Sequence, residues 1–131
     1  MKIRYLSKEW IDAVSESVTA SEMLQLLGDK HIFGLTQVVS STPFGEVRYH
    51  LQSGDGAVNF STGDANPENV RFVQDYQTAI AVATGNLNSQ EAFINGHIRF
   101  SGDHQCLIDA QEIFALLDEV FTSVRDRTEY H

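Results

Sequence analysis

Between Asp103 and Arg125 the sequence carries an apolar stripe too wide for a coiled-coil seam. Cys106, Leu107, Ala110, Ile113, Phe114, Leu117, Val120, Phe121 and Val124 recur at helical spacing, with Asp109, Glu112, Asp118 and Arg125 opposing them. A helix of this kind has to lie on another apolar surface. The same stripe serves equally well to close an ordinary core or to roof a ligand cavity. Asp103 stands at an N-cap position, so the pattern predicts one long helix over 104–124.

The surface for that helix is predicted from the middle of the chain. Residues 31–40 read as a strand and 41–45 as a turn. Residues 46–52 alternate, with Val47, Tyr49 and Leu51 on one face and Arg48, His50 and Gln52 on the other. Ser53-Gly-Asp-Gly56 is a tight hairpin signal leading into a strand over 57–62 with Val58 and Phe60 inward. A polar loop over 63–69 precedes a strand over 70–74; Asp75 then caps a helix that runs through Ala83 and ends at Gly85. A one-turn helix over 90–94 and a strand over 96–101, with Ile98 and Phe100 inward and His97 and Arg99 outward, complete the run. Two helices open the chain. Ser7 caps the first, over 8–18, which carries Trp10, Ile11, Val14 and Val18. Thr19-Ala-Ser-Glu22 has capping-box spacing for the second, with Val18 stapling onto Met23 and a stop at Gly28. With no repeat, linker or low-complexity tract, residues 1–131 read as one domain.

Charge narrows the function. The 131 residues hold 9 Lys and Arg against 18 Asp and Glu, a formal charge of −9, which disfavours nucleic acid and anionic membrane surfaces as partners. The longest apolar runs, such as 79–83 and 113–117, are far too short to span or insert stably into a bilayer. Lys8, Glu9 and Asp12 fall where a secretion signal needs an apolar stretch. The lone Cys106 rules out an internal disulfide and fits a reducing compartment, so the cytoplasm is expected.

Signals for chemistry are few. His104 and Cys106 are two apart and point to different faces of a helix, with no further cysteine to complete a metal site. No phosphate loop, dinucleotide fingerprint or nucleophile elbow is present, so neither an enzyme nor a cofactor is expected. Alternation places His50, His97, Arg48 and Arg99 on the polar sides of their strands, with Arg71 nearby. Together they could hold an anionic head group or serve acid–base chemistry, but a wet outer sheet face explains them more simply.

The segment Thr84-Gly-Asn-Leu-Asn-Ser-Gln-Glu-Ala-Phe-Ile-Asn-Gly-His-Ile-Arg-Phe-Ser-Gly-Asp103 resembles the signature of the sterol carrier protein type two family. Gly85, Leu87, Ala92, Phe93, Gly96, Ile98, Phe100, Gly102 and Asp103 match it in order and spacing. The Leu6-Ser-Lys-Glu-Trp10 opening and the hairpin around Gly54-Asp-Gly56 resemble the stand-alone bacterial members. The resemblance implies an α+β fold with a five-stranded mixed sheet, helices packed on one face and an apolar tunnel between them. The expected element order is αα-ββββ-α-(short α)-β-α. It also implies non-catalytic binding of a fatty acid, acyl-coenzyme A, sterol or similar lipid. From alternation and helical phase, the residues expected to line such a slot are Phe72, Ile80, Phe93, Ile98, Phe100, Leu107, Phe114 and Leu117. The competing expectation is a structural or interaction domain, as monomer or homodimer, whose core is closed and empty.

Overall fold

The computed structural model describes residues 2–130, except for the side chains of Ser89, Gln90 and Leu107. Five strands form the main sheet: β2 (Phe33–Thr42), β3 (Gly45–Gly54), β4 (Ala57–Thr62), β5 (Val70–Asp75) and β6 (Ile98–Gly102), in the order β4-β3-β2-β5-β6. The β2–β5 pair is parallel and the other three are antiparallel, so the sheet is mixed. A further two-stranded parallel ribbon joins β1 (Ile3–Arg4) to β7 (Thr128–Glu129). Strands of two residues carry no periodicity, and the sequence reading has no counterpart for them.

The meander follows from local chemistry. Asp55 and Gly56 both take positive φ, 53° and 78°, as the turn of a tight hairpin requires, and Gly54 pairs with Ala57 across it. Register then places Leu35, Gln37 and Val39 of β2 beside Leu51, Tyr49 and Val47 of β3, and beside Val70, Phe72 and Gln74 of β5. These residues share the inner face. Phe60 joins them opposite Leu51, and Phe100 opposite Phe72.

Helices cover that face: α1 (Lys8–Ala20), α2 (Glu22–Leu27), α3 (Tyr76–Ala83), α4 (Ser89–Ile94), α5 (His104–Asp109) and α6 (Gln111–Arg125). Ser7 caps α1, its hydroxyl accepting from the Trp10 amide, and Trp10, Ile11, Val14 and Val18 are buried. The cap of α2 is Ser21, which accepts from the Leu24 amide, rather than Thr19, which stays inside α1. Val18 is fully buried while Met23 is 65% exposed, so the staple expected between them does not form. Two strands start later than the sequence suggests. The amide of His31 still bonds the Leu27 carbonyl, and that of His97 the Ala92 carbonyl, so both stretches are spent on finishing the preceding helix.

The predicted long C-terminal helix is two helices. Ala110 leaves helical geometry at φ −97°, ψ 16°, and is itself buried. The apolar phase continues across the break, which is why periodicity could not see it. The redirection separates two tasks: α5 packs against β5, while α6 packs against α1 and α2.

Asp75 caps α3, its carboxylate accepting from the Thr78 amide at 2.8 Å. That backbone hydrogen bond, with a second from the Thr78 side chain, holds its carboxyl below the ordinary aspartate range. A carboxyl whose folded pKa is depressed contributes stability above its unfolded pKa and loses it as pH falls through the folded value. Asp75→Ala is therefore expected to cost about 1 kcal/mol at neutral pH. Urea denaturation should show the difference from wild type shrinking below about pH 4; a gap that persists at pH 2 would count against the cap.

Candidate ligand cavity

The close neighbours of α6 are helices, and long side chains bridge the distance from it to the sheet. A cavity of about 430 Å³ lies in that gap, lined by Leu35, Gln37, Tyr49, Leu51, Phe60 and Phe72 from the sheet and by Phe114, Leu117, Asp118 and Phe121 from α6. This volume is in the range that takes a small-molecule ligand. Aromatic rings keep its walls apart: Phe121 stacks on Trp10 with centroids 5.9 Å apart, and Phe60 sits 5.2 Å from Tyr49. At the far end Phe114 approaches Phe33, 6.1 Å between centroids.

A smaller space of about 140 Å³ adjoins it and shares Gln37, Tyr49, Asp118 and Phe121 as walls. Gln74, Arg125, Tyr5 and Tyr130 give it a polar character that the larger space lacks. The Gln74 amide donates to Gln37 Oε1 at 3.2 Å. The Gln74 Oε1 and Arg125 Nε atoms are both buried and have no hydrogen-bond partner among the described residues. Burial raises the phenol pKa values of Tyr5, Tyr49 and Tyr130, so all three remain protonated at neutral pH.

Of the residues expected to line a slot, Phe72, Phe114 and Leu117 come together around the larger cavity. Phe100 packs on Phe72 at 5.5 Å, one layer out, and Phe93 on Phe100 at 6.3 Å while remaining 45% exposed. Ile98 is buried on β6 and Ile80 packs against the core from α3, both away from the cavity walls. The side chain of Leu107 lies outside the described residues.

Sequence reasoning missed Gln37, Gln74, Asp118 and Arg125. The first two occupy inward positions of β2 and β5 where alternation calls for an apolar residue, and that interruption was the available signal. Asp118 and Arg125 were placed opposite the apolar stripe. Counting from Phe114 in steps of seven and four reaches Phe121 and then Arg125, which puts the guanidinium on the cavity line.

The outer face of the sheet is occupied differently. Arg48 and Arg71 each reach Asp64 at 3.3 Å, and each has a further acid, Glu46 or Glu68, at 2.9 Å. These cations hold the 63–69 loop and are already neutralised. His50 Nδ1 lies 3.1 Å from the Gly63 carbonyl of that loop. Among the described residues no three His, Cys, Asp or Glu side chains are placed to hold a metal ion, and no helix is long and apolar enough to cross a membrane. Burial and neighbouring acids raise the Cys106 pKa, which keeps it a thiol.

No protein-family model and no curated protein matches the sequence. Solved structures do match the fold. A conserved hypothetical protein of Thermus thermophilus, described as a sterol carrier protein candidate, superposes with a TM-score of 0.67 at 20% identity, covering 91% of this chain and 88% of its own. A crystal structure of sterol carrier protein 2 gives 0.62 at 18% identity over 94% and 98%. The sterol carrier protein domain 2 of Helicoverpa armigera gives 0.60 at 16% over 85% and 87%. At these identities the likeness is one of architecture: five mixed strands in an α+β arrangement with helices on one face. The chain has the sterol carrier protein 2 fold.

Proposed function

We propose that the chain is a single lipid-binding domain that holds one hydrophobic lipid between the sheet and α6, and carries it without chemical change. The observation that carries this reading is the cavity of about 430 Å³ whose walls include Leu35, Leu51, Phe60, Phe72, Phe114 and Leu117. Each methylene moved into such a space gains about 0.8 kcal/mol, so a chain of modest length binds tightly with no charged contact at all. The names of the structural neighbours, sterol carrier proteins among them, support the same ligand class. The lone cysteine and the acidic surface fit a carrier working in the cytoplasm, free of anionic membranes.

Titration of delipidated protein with fluorescent fatty acid, acyl-coenzyme A and sterol analogues tests this. Saturable binding near one ligand per chain at micromolar or better affinity is expected for at least one class. Protein that is folded by circular dichroism and binds none of the three would overturn the carrier reading in favour of a closed structural domain.

A further inference from the structure

We propose that Gln74 and Arg125 form a head-group seat that selects single-chain lipids ending in a small oxyanion. The seat would also fix their direction, with the head beside the end of α6 and the tail running back toward Phe114. This rests on the lipid-binding reading and goes beyond it in naming the residues that choose the head.

The two adjacent spaces differ in chemistry. The larger is lined almost wholly by aliphatic and aromatic groups, whereas the smaller holds Gln74, Arg125 and the ordered Gln37–Gln74 amide pair. Buried polar atoms without partners are costly, and two of them, Gln74 Oε1 and Arg125 Nε, occur here together. A carboxylate head accepts from Arg125 Nε but has no proton to give Gln74 Oε1. The amide pair can turn over as a unit, keeping its mutual hydrogen bond while Gln74 presents its NH₂ instead.

Three features set the selectivity. Among the described residues that line either space Arg125 is the one cation, so an anion gains there and a cationic head does not. The adjoining space is only about 140 Å³, which suits a head of a few atoms. From Phe114 to Arg125 the helix axis advances about 16 Å, leaving room for a chain of many methylenes behind the head. The α6 C-terminal dipole and Asp118 oppose an anion. The dipole is weak and solvent-screened, and Asp118 is exposed, so the desolvated guanidinium N–H outweighs both.

Isothermal titration with dodecanoate, dodecanol and dodecyltrimethylammonium separates the head from the tail. Dodecanoate is expected to bind about tenfold or more tighter than either of the others. Arg125→Gln should bring it to within about threefold of dodecanol, whose own affinity should fall far less than that of dodecanoate, and Gln74→Glu should weaken dodecanoate selectively by repulsion. Equal binding of all three by wild type, or an Arg125→Gln protein that keeps the preference, overturns the seat and leaves the lipid-binding reading standing. Failure of folded wild type to bind any of the three overturns both. Thermal melts of the two variants identify any loss that comes from misfolding, and dodecanol affinity serves as the internal control.

Discussion

Phe114→Arg is expected to lower lipid affinity by about a hundredfold or more, in a protein that still folds. Phe114 stands on the wall of the larger cavity and is only partly buried, so its replacement fills ligand space more than it disrupts core. A guanidinium there would either occupy the path of the lipid tail or have to be desolvated by it, and a buried unpaired cation costs several kcal/mol. Phe114→Ala provides the contrast. It removes the ring contact with Phe33 and enlarges the cavity, at a cost below the roughly 3–5 kcal/mol of a fully buried ring because Phe114 is only partly buried, but it introduces no charge. Displacement of a bound fluorescent fatty acid should therefore fail for the arginine variant and survive within about tenfold for the alanine variant. If the arginine variant binds as wild type does, the lipid does not lie under α6.

That contrast depends on a gap between sheet and helix that no sequence pattern encodes. Val47, Tyr49, Leu51, Val58 and Phe60 were legible as the inner face, because strict alternation leaves one side apolar. The Asp55-Gly56 hairpin was legible because few residues tolerate positive φ twice in succession. The apolar stripe of α6 was legible too, but a stripe reports that a face is covered and not how far away the cover lies. The standoff arises because α6 takes its close packing from α1 and α2, a matter of tertiary placement. Hence Phe72, Phe114 and Leu117 could be named among the cavity residues, whereas Ile80, Ile98 and Phe100, equally apolar and equally in phase, pack elsewhere. The polar end was hidden for a related reason. Gln37 and Gln74 look like errors in an alternating strand until the other two sides of the space are known.

The opposite face of the sheet carries the second large effect: Gly34→Ala is expected to destabilise the protein by about 3 kcal/mol or more. A methyl group built on Gly34 would lie 1.9 Å from the Pro67 carbonyl oxygen, and 2.9 Å from the Ala65 side chain. The nearer contact is backbone, so no rotamer change relieves it, and the 63–69 loop would have to lift away. Lifting it breaks a connected set of bonds. The Gly34 amide donates to Asn69 Oδ1 at 2.9 Å, the Ala65 amide to the buried Thr36 hydroxyl at 2.9 Å, and the Asn66 amide to Gln52 Oε1 at 2.9 Å. Thr36 and Val38 point away from the cavity yet are buried, so this loop forms part of the cover that keeps water from the central strand on its outer side. Releasing it would leave a buried hydroxyl unpaired and wet the strand on which Leu35 and Gln37 stand, so both stability and ligand affinity should fall together. Ala65→Gly separates the two contributions, because it keeps every backbone bond and removes only the methyl that faces Gly34. Its cost should stay near 1 kcal/mol by urea denaturation. If Gly34→Ala proved as mild, the loop would be free to move outward at little cost, and the outer face of β2 would not need it for cover.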